Sequence, residues 1–200
     1  MSPRYGALLA LTLWSATVTA GHGLLNSFGD LEWLPAPGRT PDQWQYALDT
    51  WRERGELLLA DTASAQLALC LGFMRDKLAD VEAMVAKDRR DAATIAIERY
   101  RDYLERARVA VDSAAEGGDK ALLENLARHL LEHQYMLSVD YPDLPVAPRA
   151  LVASLIDEIA LRYRELRAMM PRSQAEALFF KEEEVRWSWE MGKRAGEEPL

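Results

Sequence analysis

The sequence predicts an all-α fold, an antiparallel bundle of about five long amphipathic helices followed by a short C-terminal helix. Three observations carry this expectation. Between Thr40 and Met170, apolar side chains return every three or four residues in five successive stretches. Almost nothing in that span has the alternation of a strand. The stretches are separated by short polar, glycine or proline punctuation, which suits neighbours that pack antiparallel.

The N-terminus precedes this pattern. Arg4 is the only charge in residues 1–20, and Tyr5 to Ala20 is apolar. Val18-Thr19-Ala20 places small residues before Gly21, the pattern of a cleaved export signal. The rival reading is an uncleaved anchor. Sixteen helical residues reach only about 24 Å, short of a hydrocarbon core of about 30 Å, and this favours the signal. Residues 21–39, ending Leu34-Pro35-Ala36-Pro37-Gly38, read as an extended arm. Its Phe28, Leu31, Trp33 and Leu34 suit packing across the bundle or contact with a partner. The bundle is expected over residues 40–192, with a frayed tail over 193–200.

The first helix is expected to open at Thr40 as N-cap, with Pro41 at the first helical position and Gln43 closing a capping box. Trp44, Leu48, Trp51, Gly55, Leu58 and Leu59 form its apolar face and are expected to point inward. Gly55 leaves a gap between bulky residues where another helix can approach. The second helix starts near Asp61 or Thr62 and runs to about Lys87, with a nearly heptad, coiled-coil-like stripe of Leu67, Leu71, Met74, Leu78, Val81 and Val85. Asp88 to Asp91 marks a turn. The third helix, from about Asp91 to Ala115, faces inward with Ile97, Tyr100, Leu104, Ala107 and Val111. Glu116-Gly117-Gly118-Asp119 stops it and caps the fourth, Lys120 to about Ser138, which points Leu122, Leu126, Leu130, His133 and Leu137 inward. Tyr141 to Pro148, with three prolines, is a rigid crossover. The fifth helix, to Met170, presents Leu151/Val152, Leu155, Ile159, Tyr163 and Leu166. Pro171 ends it, and Ser173 with Glu176 forms a second capping box ahead of a short aromatic helix.

Composition narrows the function. The net charge is −8, which repels phosphate backbones and excludes nucleic acid as a natural partner. Membrane contact is expected only through residues 5–20, if they are uncleaved. Cys70 is the sole cysteine, so an intramolecular disulfide is impossible, and its place near an apolar stripe predicts a small buried hydrophobe.

His129-Leu130-Leu131-Glu132-His133 has the H-x-x-E-H form of inverted zinc proteases. Imidazoles at i and i+4 can share a helix face and grip one metal. The wheel, however, turns His133 to the core, His129 to its border and Glu132 to solvent. A structural role is therefore expected, with metal binding at His129 and His133 as the alternative. The Glu-x-x-His pairs of di-iron bundles are absent, because Leu126 and Leu130 occupy the relevant positions. No haem-attachment site, nucleophile elbow, phosphate loop or dinucleotide fingerprint occurs, and His22 has no sequence partner. No cofactor and no catalytic set are expected.

The stretch Tyr46 to Glu53, then Leu67 to Leu71, then Lys77-Leu78-Ala79-Asp80-Val81-Glu82, resembles a bacterial exported-protein family catalogued as domain of unknown function 5667. The likeness continues through tyrosines near Tyr100 and Tyr103 and a histidine near His133, over about residues 37–140. Lys77 stands where arginine is frequent, and the final aromatic helix is an addition. The resemblance implies an all-helical exported domain and no activity, since none is assigned to the family.

Tyr46, Asp49 and Glu53 lie opposite the Trp44/Leu48/Trp51 face of the first helix. They are expected either to pair with cations on a neighbouring helix and fix register, or to form a recognition surface. On the last helix, Phe180/Trp187 and Val185/Trp189 fall on different sides. One side can cap the bundle and the other is left for a partner; Glu182 to Glu184 argue against a membrane. The whole reads as an exported interaction, scaffold or sensor-like domain of the cell envelope. The alternatives are a metal-dependent enzyme built on His129 and His133, and an accessory subunit of a membrane complex held by residues 5–20.

Overall fold

The computed structural model describes residues 27–29, 31–116 and 119–197, with no strand among the described residues. Residues 1–26, Asp30, Gly117, Gly118 and the last three residues lie outside them, and with them the expected export signal and His22. The helices are α1 (Tyr46–Leu59), α2 (Ala63–Ala86), α3 (Arg90–Glu116), α4 (Ala121–Asp140), α5 (Val146–Met169), α6 (Arg172–Ala177) and α7 (Phe179–Glu197), with a 3-10 turn at Tyr141–Asp143 between α4 and α5.

The centre is the set α2 to α5. Every residue of the predicted α2 stripe is buried, as are Ile97, Tyr100, Leu104, Ala107 and Val111 of α3 and Leu155, Ile159, Tyr163 and Leu166 of α5. On α4, Leu123 takes the inward place expected of Leu122, and Leu126, Leu130, His133 and Leu137 are buried as predicted. Each fully buried aliphatic side chain contributes about 1.5–3 kcal/mol.

Local signals set the boundaries. The Thr62 hydroxyl accepts from the Ala65 amide at 3.1 Å and caps α2. At its other end the Arg89 amide bonds to the Met84 carbonyl and the Asp88 amide to the Val85 carbonyl, with Asp88 at φ 53°. This is a Schellman closure, with aspartate in the left-handed place that glycine usually fills. Three residues thus reverse the chain and lay α3 against α2. Asp119 caps α4 by accepting from the Ala121 amide at 3.0 Å.

Two helix starts differ from the sequence expectation. Residues 41–45 form turns, and α1 begins only at Tyr46. The Thr40 hydroxyl is directed to the Asp42 carboxylate at 2.5 Å and receives the Gln43 side-chain amide at 3.3 Å, so it caps no helix. The second capping box is also unused: the Pro171 carbonyl accepts from Gln174 and Ala175, while Glu176 pairs with Arg172 at 2.7 Å.

The largest departures are at the two ends. α1 is turned over: Tyr46, Thr50 and Glu53 face the bundle, while Leu48, Trp51, Leu58 and Leu59, and Trp44 in the turn before the helix, face outward. The expected short aromatic helix is two helices, broken at buried Leu178. The second of these, α7, runs for 19 residues, well into the expected tail. Tyr163 and Arg167 reach Glu182, Asp157 reaches Trp189, and Arg149 reaches Gly196. α7 therefore runs antiparallel to α5, and so alongside α4 in the same direction. Arg149 donates to the carbonyls of Leu144, Pro142 and Gly196 at 2.8, 2.8 and 2.5 Å, tying the crossover to the C-terminal end of α7. Cations suit that end of a helix.

The arm straps the other side. Phe28 is buried and stacks on Tyr135 of α4 at 4.2 Å, and the Lys181 ammonium of α7 lies over its ring at 4.3 Å. The Ser27 amide donates to Glu184 at 2.9 Å. Arg75 of α2 holds Glu32 at 2.8 Å and bonds to the Trp33 carbonyl.

The approach of α7 to α4 depends on Gly192. A Cβ there would stand 2.8 Å from the Ser138 carbonyl oxygen, an atom of the α4 backbone that cannot swing aside. Gly192→Ala is expected to destabilise the fold by about 1–3 kcal/mol despite its better helix propensity, read as a lowered thermal midpoint.

Candidate functional site

The most unusual chemistry is a buried ionic cluster between α1, α2 and α3. Lys77 lies in the α2 interface between Met74, Leu78 and Val81 and is 3% exposed; Glu53 of α1 is 2% exposed. The Lys77 ammonium meets Glu53 Oε1 at 2.9 Å and Asp80 Oδ2 at 3.6 Å. The Tyr103 hydroxyl of α3 donates to Glu53 Oε2 at 2.5 Å. The same ammonium lies 4.8 Å from the centre of the Tyr46 ring, a cation–π contact.

Burial pulls the Lys77 pKa down, but the hydrogen bond to Glu53 and the surrounding negative charges hold it above the ordinary value. Lys77 is therefore an ammonium. Burial pushes the Asp80 pKa up to about 6, against the attraction of Lys77. Burial, reinforced by Glu53, drives the Tyr103 phenol well up. The cluster can hold α1 in one register; it presents no surface. Tyr46 and Glu53, expected as candidates for recognition, are inside, and pairing with the Lys77 cation explains why. Asp49 alone of the three stays at the border, 3.1 Å from Arg39.

Sequence reasoning missed Lys77, Asp80 and Tyr103 as one group. A usable signal existed: a lysine set among the apolar stripe residues of a long helix must find an anion.

The two histidines do not converge. His133 is buried, with Nδ1 at 3.1 Å from the Tyr100 hydroxyl. Burial, with smaller effects from His129 and Arg75, pushes its pKa down to about 3, so it is a neutral ring in the core. His129 at the border donates from Nδ1 to the Asn125 carbonyl, 2.8 Å away, and its ring stands edge-on to His133 at 6.5 Å. Glu132 is half-buried, 4.0 Å from His129 Nε2. Among the described residues, no three His, Cys, Asp or Glu side chains are placed to hold a metal ion. A shallow groove here runs between α2 and α4 under Leu31 and Glu32 of the arm. Cys70 is buried on α2, and burial raises its thiol pKa to about 11, which makes it a poor nucleophile.

The exposed aromatics lie elsewhere. On α7, Phe180 and Trp187 are outside, while Trp189 is buried with Val185, against the edge of Tyr141 and within 3.3 Å of Asp157. Trp189 is thus a packing residue, because its side of α7 is the one that meets the bundle. Phe179 also remains half-exposed beside Phe180. Among the described residues, the most exposed apolar side chains are on α1 and in the turn before it. Trp44 is 79%, Leu48 54%, Trp51 71%, Leu58 86% and Leu59 85% exposed.

The cluster makes stability depend on pH with a definite sign. The folded pKa of Asp80, about 6, lies above its ordinary value of 3.8. The folded state thus binds the extra proton, and the contribution of Asp80 is full below pH 4 and lost as pH rises through 6. Asp80→Asn is expected to be more stable than wild type at pH 7 by about 1–2 kcal/mol, with the difference vanishing near pH 4, in urea melts across that range. Glu53→Lys removes the partner of a buried ammonium and adds a second cation. It is expected to destabilise by at least about 3–5 kcal/mol, read in the same melts.

Comparison with known proteins adds one relationship. No curated protein and no solved structure matches the chain. Residues 38–144 match the family described as Domain of unknown function (DUF5667). That span runs from just before α1 to the 3-10 turn after α4. It holds the whole Glu53–Lys77–Asp80–Tyr103 cluster and both histidines, and leaves α5 to α7 outside. With the match covering more than half of its residues, the chain belongs to this family of helical domains of unknown function.

Proposed function

We propose that the chain is a non-enzymatic interaction domain of the cell envelope, exported by residues 1–20, that offers helix faces to protein partners. The observation that carries this reading is the outer face of α1. Leu48, Trp51, Leu58 and Leu59 lie there, with Trp44 in the turn just before it, each more than half exposed. Folding gains nothing from that placement, since solvent-facing tryptophan and leucine add no core, and a face of this kind marks an interaction surface. Phe179, Phe180 and Trp187 on α7 add a second, smaller one. The acidic net charge disfavours nucleic acid as the ligand. The Arg4 n-region, the apolar run to Ala20 and the small residues before Gly21 support export.

Because both tryptophans stand outside the core, Trp44→Ser/Trp51→Ser is expected to keep the thermal midpoint within about 2 °C of wild type. The same variant is expected to lose at least tenfold in binding to its envelope partner, in pull-downs or by surface plasmon resonance. Equal binding by variant and wild type would overturn the role of this face. N-terminal sequencing of the natural protein is expected to begin at Gly21; an intact Met1 would favour an anchored subunit instead.

A further inference from the structure

We infer that the groove of α2, α4 and α7 under the arm is a docking site for a short acidic peptide with an aromatic anchor, and that the chain's own arm, through Phe28, Leu31 and Glu32, fills it as a tethered stand-in for that peptide. This goes beyond the face of α1 and does not depend on it.

The arm is seated as a bound peptide is. Phe28 is its anchor, buried on the Tyr135 ring of α4 at 4.2 Å and under the Lys181 ammonium of α7 at 4.3 Å. Four residues on, Glu32 meets the Arg75 guanidinium of α2 at 2.8 Å, with its own side chain 83% exposed. Leu31, between them, packs on the edge of the core. The described residues of the arm join no helix and no sheet. Their backbone ties to the bundle run to side chains, the Ser27 amide to Glu184 and the Trp33 carbonyl to Arg75. An aromatic in a slot and a carboxylate on an arginine are contacts that any chain of the same chemistry can make.

The charge of the groove names the occupant. The lining supplied by α2 and α4 holds Arg75 and Arg128 against Glu132, an excess of one positive charge in a chain of net charge −8. A local positive excess in an acidic molecule draws an acidic ligand. Glu32 of the arm answers only part of it. Arg75 bonds Glu32 through one terminal nitrogen and the Trp33 carbonyl through the other, while its Nε is buried and has no acceptor among the described residues. That grip falls short of the two parallel bonds a carboxylate can make with a guanidinium. Arg128 is bonded to Asn125 of its own helix at 2.7 Å. The arm is therefore a fitting ligand of the groove without being its best one.

The tether lets the arm leave. Pro35-Ala36-Pro37-Gly38 joins it to the turns ahead of α1, and all four residues are exposed. A Cβ built on Gly38 would meet nothing within 4 Å. The link thus packs on nothing, and release of the arm leaves α1 and its ion pair in place. A short link also keeps the arm near its seat at an effective concentration of order millimolar, which a free segment must overcome. The arm sets a threshold that a weak ligand does not pass.

Fluorescence anisotropy with a labelled peptide of the sequence of residues 27–35 tests the inference on three forms of the full chain: wild type, Glu32→Ser and Phe28→Ser/Glu32→Ser. Affinity is expected to rise in that order, with the double variant binding at least tenfold tighter than wild type, because its own arm no longer competes. Adding Arg75→Glu to the double variant is expected to cost at least tenfold, and a peptide with lysine in place of Glu32 is expected to recover it. That exchange of charges separates docking from a merely structural role for Arg75. Thermal melts check that each form is folded; if the double variant is not, the comparison of wild type with Glu32→Ser, which leaves Phe28 seated, decides. Absence of binding to a folded released form up to about 1 mM peptide overturns the inference. So does equal binding by all forms, or a charge-exchanged pair that fails to bind. A doubled mass in sedimentation equilibrium, lost in Phe28→Ser/Glu32→Ser, would overturn it in favour of arms exchanged between two copies. Trp44→Ser/Trp51→Ser is expected to leave peptide affinity unchanged, so failure of the groove and failure of the α1 face are read separately.

Discussion

Lys77 sits in the middle of α2, among residues that close the interface with α1 and α3. An ammonium in that position cannot be left unpaired, because removing it from water costs several kcal/mol unless an anion and further hydrogen bonds replace the solvent. Asp80, one turn away, stands at 3.6 Å and is itself pushed toward its protonated form by burial. The close partner is Glu53, at 2.9 Å, and its second oxygen is taken by Tyr103. α1 must therefore present Glu53 inward. Tyr46, seven residues earlier, follows it and lays its ring beside the same cation. This pairing decides the rotation of the whole helix, and with it the identity of the exposed face.

Most of the bundle was legible because it obeys the simplest rule available. Where a helix has one apolar stripe and little else, as in α2, α3 and α5, the stripe goes inside, and caps such as Thr62 and Asp119 fix the ends. α1 broke that rule. Its apolar stripe is as regular as that of α2, and periodicity counts hydrophobic positions without asking what the neighbouring helix requires. The information lay in another helix, in the charge at Lys77, and one helix's pattern cannot report it. The last helices were misjudged for a related reason. Pro171 and the Ser173/Glu176 pair announce a helix start, but the Pro171 carbonyl satisfies the amides locally, and α7 begins only beyond buried Leu178. The true length of α7 depends on Trp189, Gly192 and Gly196 meeting α4, α5 and the crossover, contacts that no local pattern encodes.

The histidines illustrate the converse case. Two imidazoles at i and i+4 are a competent pair in isolation. In the fold, His133 turns into a dry core and bonds Tyr100, while His129 settles on the carbonyl of its own helix. The first stays neutral over the physiological range because burial opposes its charge. The likeness to a catalytic motif is one of spacing, and among the described residues no third ligand joins the pair.

The same arithmetic of charge connects the interior with the surface. A net charge of −8 makes copies of the bundle repel one another at long range. An outward stripe of tryptophan and leucine would ordinarily invite unspecific aggregation. Here it is confined to one helix, set at the edge of the bundle and outside the α2 to α5 core. Its inner side is locked by an ion pair too deeply buried for salt to screen. A rigid helix with one committed face presents its free face in a single orientation, which favours a defined partner geometry over random sticking. The polar cluster inside and the apolar stripe outside are thus two consequences of one choice: the buried lysine required an acid, and the helix that brought it had to turn its greasy side to the world.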